Sequence, residues 1–276
     1  VKLWSKEGKF LRNLPHGDRV YGLSFSPDGK KIATASQDNN VYLWNTDGDL
    51  LATFRGHGES VYDTTFSPNG KIIASVSKDG TIKLWNQKGE LVKTIEGKRE
   101  VTGVSFSPDG SRMVSSSYDN EDAVKVWEVS ETGEEVRLLQ TLQYQRGATK
   151  AMFSPDGKTI AAVGGEETIK LWSRDGELLK TLKGHKGVVW AIAFSEDGKL
   201  LVSGGEDRTI KVWNVEDGEL LKTLEGHRKE VYSVSFSAGT IVSSSRDNTV
   251  RIWQPDLRLV KNLKVNSSGG FFSVSF

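Results

Sequence analysis

Apolar and polar residues alternate along this chain with a period of two, in short runs separated by turn-forming residues. Val20-Tyr21-Gly22-Leu23-Ser24-Phe25 reads as a strand, and Ser26-Pro27-Asp28-Gly29 closes it, with proline presetting φ and glycine supplying a positive φ. Lys31–Ser36 predicts the next strand, and Gln37-Asp38-Asn39-Asn40 turns the chain into Val41-Tyr42-Leu43-Trp44. Asp47-Gly48 then makes a hairpin into a fourth strand, Leu50–Phe54. No segment carries the 3.6-residue spacing of an amphipathic helix.

The pattern repeats. Seven tryptophans end an aliphatic stretch, namely Trp4, Trp44, Trp85, Trp127, Trp172, Trp213 and Trp253, spaced by 40, 41, 42, 45, 41 and 40 residues. Trp190 alone lies outside the series. A second series, Phe25, Phe66, Phe106, Phe153, Phe194 and Phe236, precedes the proline and glycine turns, and Phe276 ends the chain in the same context. Four antiparallel strands in each unit of about 40 residues predict the blades of a propeller.

The pairs Gly56-His57, Gly184-His185 and Gly226-His227, the variant Pro15-His16 and the phased tryptophans carry a resemblance to the WD40 repeat family, of prokaryotic type, over essentially the whole chain. The aspartate usual after the tryptophan is missing, replaced by Ser5, Asn45, Asn86, Glu128, Ser173, Asn214 and Gln254. With the strand count, the resemblance implies an all-β fold, a seven-bladed WD40 β-propeller with four antiparallel strands per blade. Residues 1–276 form one domain, with repeat units around Trp44, Trp85, Trp127, Trp172, Trp213 and Trp253 and a last, composite blade from 1–14 and 266–276.

The family's buried tetrad of His, Ser or Thr, Asp and Trp maps onto four units. They are His16, Thr34, Asp38 and Trp44; His57, Ser75, Asp79 and Trp85; His185, Ser203, Asp207 and Trp213; and His227, Ser243, Asp247 and Trp253. Indole N–H to hydroxyl, hydroxyl to imidazole and imidazole N–H to carboxylate would satisfy every member. Two units depart from it. One has Gly97-Lys98 and two additional residues in 118–122. The other has Tyr144, Ala162 and Glu166. Both are expected to open at lower free energy than the rest. The acidic hairpin 128–135 reads as a solvated loop.

Counting strands leaves the composite blade one short, because only Val1, Lys2 and Leu3 separate Phe276 from Trp4 around the ring. On the order of 15 residues, a turn, a strand and a turn, are expected to be missing there. Omitted residues, excision from a longer protein, and a slot that accepts a partner's strand by β-augmentation all fit.

Composition narrows function mainly by exclusion. Net charge is +1, which favours neither nucleic acid nor an anionic membrane, and the absence of cysteine removes thiol catalysis and Cys-ligated metal. No nucleophile elbow, phosphate loop, dinucleotide fingerprint or metal helix is present. The four histidines fall one to a blade and do not converge. No enzyme activity, cofactor or metal is expected, and the location expected is cytoplasmic. Aspartate-glycine turns such as Asp28-Gly29 suit hairpin geometry better than calcium.

By the resemblance, the face formed by the fourth-to-first and second-to-third strand connections binds partners. It would carry Arg19, Lys78, Lys98, Arg99, Arg146, Lys186, Arg228, Lys229 and Arg246 against Asp18, Glu59, Glu100, Glu206 and Glu230, a modest basic excess suited to an acidic protein or peptide. Four residues before each phasing phenylalanine stand Tyr21, Tyr62, Thr102, Thr149, Trp190, Tyr232 and Phe272. These would ring the channel entrance as binding anchors, or pack between blades. The expected function is a protein- or peptide-binding scaffold, a sensor or assembly module of a larger protein. A small-molecule or carbohydrate binder using the channel mouth is the alternative.

Overall fold

The computed structural model describes residues 1–5, 9–254, 258–264 and 273–275. Alternation along each run buries one face per strand, and the turns join neighbouring runs into antiparallel meanders. β1 (Lys2–Trp4) and β2 (Phe10–Asn13) form a two-stranded sheet. Six four-stranded sheets follow in chain order. The first comprises β3 (Val20–Phe25), β4 (Lys31–Ser36), β5 (Val41–Asn45) and β6 (Leu50–Phe54). The second comprises β7 (Val61–Phe66), β8 (Ile72–Ser77), β9 (Thr81–Asn86) and β10 (Leu91–Glu96). The third holds β11 (Val101–Phe106), β12 (Arg112–Ser117), β13 (Val124–Val129) and β14 (Val136–Leu142). In the fourth are β15 (Ala148–Phe153), β16 (Thr159–Gly164), β17 (Thr168–Ser173) and β18 (Leu178–Lys183). The fifth has β19 (Val189–Phe194), β20 (Leu200–Gly205), β21 (Ile210–Asn214) and β22 (Leu220–Leu224). β23 (Val231–Ser237), β24 (Thr240–Ser245), β25 (Thr249–Trp253) and β26 (Leu259–Lys264) make the sixth.

Six complete blades are therefore seen among the described residues, against seven expected. Phe272 and Phe276 lie outside the described residues. The β1–β2 pair nevertheless repeats the geometry of every third and fourth strand. Trp4 pairs with Phe10 as Trp44 pairs with Leu50 and Trp253 with Leu259, each with the register shifting just before the tryptophan.

Hydrophobic clusters sit between consecutive sheets, each joining the tryptophan of one blade to the preceding blade. Trp85 packs with Ala33, Leu43 and Phe54, Trp213 with Ile169, Leu171 and Leu182, and Trp44 with Leu14, Val1 and Leu3. The indoles of Trp44, Trp85, Trp172, Trp213 and Trp253 are buried, and truncating one would cost about 3–5 kcal/mol through the cavity left. Trp127 is half-buried. Trp4 is 36% exposed and rests edge-on against Phe10, on its own hairpin, at 5.4 Å.

The acidic side chains of the hairpin 128–135 are exposed, as expected of a solvated loop, and the hairpin touches the second blade at Gly133. Gly133, buried at φ +76°, sits against Ile72 and Leu84 of the second blade, and Glu131 pairs with Lys71. A side chain at position 133 would meet Ile72 Cδ1 at 3.2 Å, so the close approach needs glycine.

Candidate functional site

Three units assemble the whole tetrad. Ser75 Oγ accepts the Trp85 indole N–H at 2.8 Å and bonds His57 Nε2 at 2.7 Å, while His57 Nδ1 reaches Asp79 Oδ2 at 3.0 Å. The corresponding distances are 2.9, 2.7 and 2.9 Å in the set of Trp213, Ser203, His185 and Asp207. They are 3.0, 2.8 and 3.0 Å in the set of Trp253, Ser243, His227 and Asp247. The same aspartate oxygen accepts the backbone N–H that follows the histidine, from Gly58, Lys186 or Arg228. One carboxylate thus ties a loop entering the blade to a turn inside it. Glycine precedes the histidine because a Cβ at Gly56 or Gly184 would press on the indole, at 3.2 and 3.1 Å, and because φ there is +151° and +159°.

Burial pushes the His57 and His227 imidazoles below their ordinary pKa, more strongly than Asp79 and Asp247 push them up. Burial raises Asp79 and Asp247, but hydrogen bonds from Thr81, Thr249 and the backbone outweigh it. Asp79 ends below the usual carboxylate range and Asp247 is pushed down to about 2. These are neutral rings on ionised carboxylates, fully hydrogen-bonded and aimed inward. Each set serves its own blade.

The first unit corrects the expected set. Asp38 does not reach His16, because Tyr42 stands where Lys83 and Lys211 stand elsewhere and donates its hydroxyl to Asp38 Oδ2 at 2.7 Å. His16 Nδ1 turns to the Leu14 carbonyl at 3.0 Å, keeping Nε2 on Thr34 Oγ1 at 2.8 Å, and Trp44 donates to the same hydroxyl at 3.2 Å. Burial pushes His16 down to about 4. The fourth unit replaces its set outright. Tyr144, 1% exposed, donates to the Thr168 carbonyl at 3.0 Å, and Lys170 lies 5.3 Å over the tyrosine ring and pairs with Glu166 at 2.9 Å. In the third unit Trp127 keeps its bond to Ser115 at 2.9 Å, but Lys98 is turned outward to Asp122.

The fourth-to-first connections and second-to-third turns share one end of every blade. Backbone bonds join them, from Gln37 to Arg19, Lys78 to Ser60, Tyr118 to Glu100, Gly165 to Gly147, Glu206 to Val188 and Arg246 to Glu230. Lys78 pairs with Glu59 at 2.9 Å, Lys98 with Asp122 at 2.9 Å and Arg246 with Glu230 at 3.2 Å. The side chains of Arg19, Arg99, Arg146, Lys186, Arg228 and Lys229 are exposed and have no ion-pair partner among the described residues.

Tyr21, Tyr62, Thr102, Thr149, Trp190 and Tyr232 each occupy the register shift of a first strand, where the extra residue re-aims its side chain. They meet across blade boundaries. Tyr21 lies edge-on to Tyr62 at 5.6 Å and Trp190 to Tyr232 at 5.7 Å, while Thr102 and Thr149 donate to the Ala148 and Val189 carbonyls at 2.7 and 2.6 Å. Four aromatics are half-buried, so inter-blade packing accounts for part of their surface. Phe272 lies outside the described residues. Tyr62 donates to Glu100 at 3.0 Å, and burial followed by that bond raises its hydroxyl well above the usual range. The Trp190 indole N–H and Glu230 Oε2 are buried without a hydrogen-bond partner among the described residues.

One feature of the inner wall was not read from the sequence. First strands of successive blades pack side by side, and three residues before each phasing phenylalanine stand Gly22, Asp63, Gly103, Lys150, Ala191 and Ser233. Lys150 Nζ crosses the third blade to Asp63 Oδ2 at 2.6 Å. Glycine makes the room: a Cβ on Gly103 would lie 3.4 Å from the Lys150 stem, and one on Gly22 2.8 Å from Asp63. In the Asp28-Gly29 turn, Asp28 Oδ1 accepts from Ser26 and from the Lys30 backbone, which is hairpin geometry.

Consecutive four-stranded sheets, indoles locked by buried polar sets and a loop-rich end define a β-propeller of repeated blades. The chain belongs to the WD40 family: the pattern described as WD domain, G-beta repeat fits residues 8–45, 48–86, 89–128, 137–173, 176–214 and 218–254. It is similar to the Periodic tryptophan protein 2 of Saccharomyces cerevisiae, 40% identical over 52 residues, which are 18% of this chain and 6% of that protein. It is also similar to a Coronin-like protein of the same yeast, 46% identical over 46 residues, 16% of this chain and 7% of that protein. The matched stretches span less than a tenth of either relative.

Proposed function

We propose that this propeller is a non-catalytic, cytoplasmic scaffold that holds an acidic segment of a partner protein against the end where the fourth-to-first connections meet the second-to-third turns. The observation that carries the reading is the set of six cations there, Arg19, Arg99, Arg146, Lys186, Arg228 and Lys229, with no carboxylate neutralising them among the described residues. A carboxylate-rich peptide would find that charge uncommitted, and would be steered toward it. The half-buried Tyr21, Tyr62, Trp190 and Tyr232 supply anchors beside it. Such a module suits sensing or assembly within a larger protein.

The ring in this reading has seven positions. In support, β1 and β2 repeat the tryptophan register of the six complete blades, and Val274 exchanges backbone bonds with Ser233 Oγ at 3.1 and 3.4 Å on the last inner strand. β1 pairs with β2 alone among the described residues, so strand addition beside β1 belongs to the same proposal. A density map with six sectors would overturn the ring count.

The binding test is selection from a random peptide display library. Acidic peptides should be enriched, and Arg228→Glu with Lys229→Glu should weaken them at least about tenfold. Charge reversal at Lys158 and Lys199, on the opposite turns, should leave them unchanged. Enrichment of basic peptides, or equal loss from the two charge reversals, would refute the assignment.

A further inference from the structure

The third blade lacks the imidazole its sisters carry, because Lys98 stands where His57, His185 and His227 stand. The lysine does not take the ring's place. Its side chain is 72% exposed and held to Asp122 Oδ2 at 2.9 Å. Behind it lies a cleft of about 20 Å³, walled by Ile95 of the second blade and by Val101, Ser115, Asp119, Lys125 and Trp127 of the third. A cavity of that size exceeds what one water requires, and it widens if Lys98 leaves its exposed ion pair, which is a weak restraint.

Two hydrogen-bonding groups of this cleft are uncommitted. Ser115 is 5% exposed; its Oγ accepts from Trp127 at 2.9 Å and donates to no group among the described residues. In the three sister blades the same hydroxyl meets imidazole Nε2 at 2.7–2.8 Å. Asp119 Oδ1 accepts from the Glu121 backbone at 3.2 Å, whereas its Oδ2 has no hydrogen bond among the described residues. The sister carboxylates use that oxygen to accept imidazole Nδ1–H at 2.9–3.0 Å. The third blade thus keeps a donor and an acceptor at the positions, four residues apart, that hold the imidazole in its sisters, beside an indole.

We infer that the cleft between the second and third blades binds the imidazole of a histidine presented by another molecule, one ring nitrogen accepting from Ser115 and the other donating to Asp119. The ring binds neutral, because one nitrogen must accept from Ser115 while the other donates to Asp119, and a protonated imidazole has no acceptor. Fully wedged between blades, it completes the set that the sequence of this blade leaves open. The cleft borders the cationic end and shares Arg99 with it, but its readout is the Trp127 signal and not the capture of acidic peptides, so either assignment can fail without the other.

The test follows the indole N–H signals of the folded chain by NMR at pH 8 during titration with imidazole, and separately with N-acetylhistidine methylamide. Both should move the Trp127 signal saturably, with a Kd on the order of 1–10 mM for so small a ligand. 1-Methylimidazole, which has no N–H for Asp119, should bind at least about tenfold more weakly, as should imidazole to Ser115→Ala. Lys98→His, which fills the cleft from within, should abolish the response. A Trp127 signal unmoved at roughly 100 mM ligand, or moved equally in Lys98→His or by 1-methylimidazole, would overturn the site. Binding of free imidazole without the histidine amide would overturn its assignment to a partner's side chain.

Discussion

Replacing one hydroxyl, at Ser75 or at Ser115, separates a complete buried set from an incomplete one. Ser75 is 0% exposed and holds two groups at once, the Trp85 N–H at 2.8 Å and the His57 ring nitrogen at 2.7 Å. Ser75→Ala leaves both buried without a partner, at about 1–3 kcal/mol each, so roughly 2–5 kcal/mol in all once some relaxation is allowed. Ser115 holds only the N–H of Trp127, a half-buried indole, so Ser115→Ala should cost about 1 kcal/mol. For a domain of this size each kcal/mol lowers Tm by roughly 2–3 °C, giving a fall of about 4–15 °C for the first variant and about 2–3 °C for the second. Urea unfolding followed by tryptophan fluorescence and by circular dichroism measures both, and a cycle with His57→Ala isolates the coupling. Equal losses at positions 75 and 115, or no coupling between Ser75 and His57, would refute the claim that the hydrogen-bonded set, and not the indole alone, clamps the blade.

Three further outcomes are expected. Stability should be level above pH 6.5 and fall as pH drops toward about 4: His16, His57 and His227 are held neutral when folded, the unfolded rings take up protons near 6.5, and the protonated state is therefore favoured by unfolding. Asp79 and Asp247, lowered in the fold, add stability above 3.8 that is lost at still lower pH, and urea midpoints between pH 8 and pH 3 with His16→Gln as comparison check both windows. Asp63→Ala should cost about 1–3 kcal/mol by leaving the Lys150 ammonium unpaired on the inner wall, and Asp63→Ala with Lys150→Met should recover most of it; thermal unfolding of the pair decides whether the strut matters. Amide hydrogen exchange should find the third blade opening before the fourth, since Tyr144, Glu166 and Lys170 form a substitute set and the third blade has none.

What the sequence determined by itself is everything that repeats. Strand order, the turns and the buried faces follow from alternation and from residues such as Asp28-Gly29 whose conformational needs are local, and the same pattern written six times leaves little room for another fold. The complete tetrads were legible for the same reason, since serine, aspartate and tryptophan keep constant spacing and each histidine follows a glycine. Tertiary structure decided whatever depends on a neighbour without a fixed offset. Tyr42 takes Asp38 away from His16 because it puts a hydroxyl donor where the complete units carry lysine or arginine, although the spacing matches. Trp4 matches the tryptophan phase but lies 36% exposed, because phase sets the face a side chain is on and not what covers that face. Asp63 meets Lys150, 87 positions later, only because Gly103 on the intervening blade leaves space for the lysine stem. The charge left unpaired on the loop-rich end is likewise a remainder, visible once three of the nine expected cations have found their carboxylates. Periodicity is a short-range property that a single chain can encode, whereas pairing across blades depends on distances that exist only after the sheets have packed.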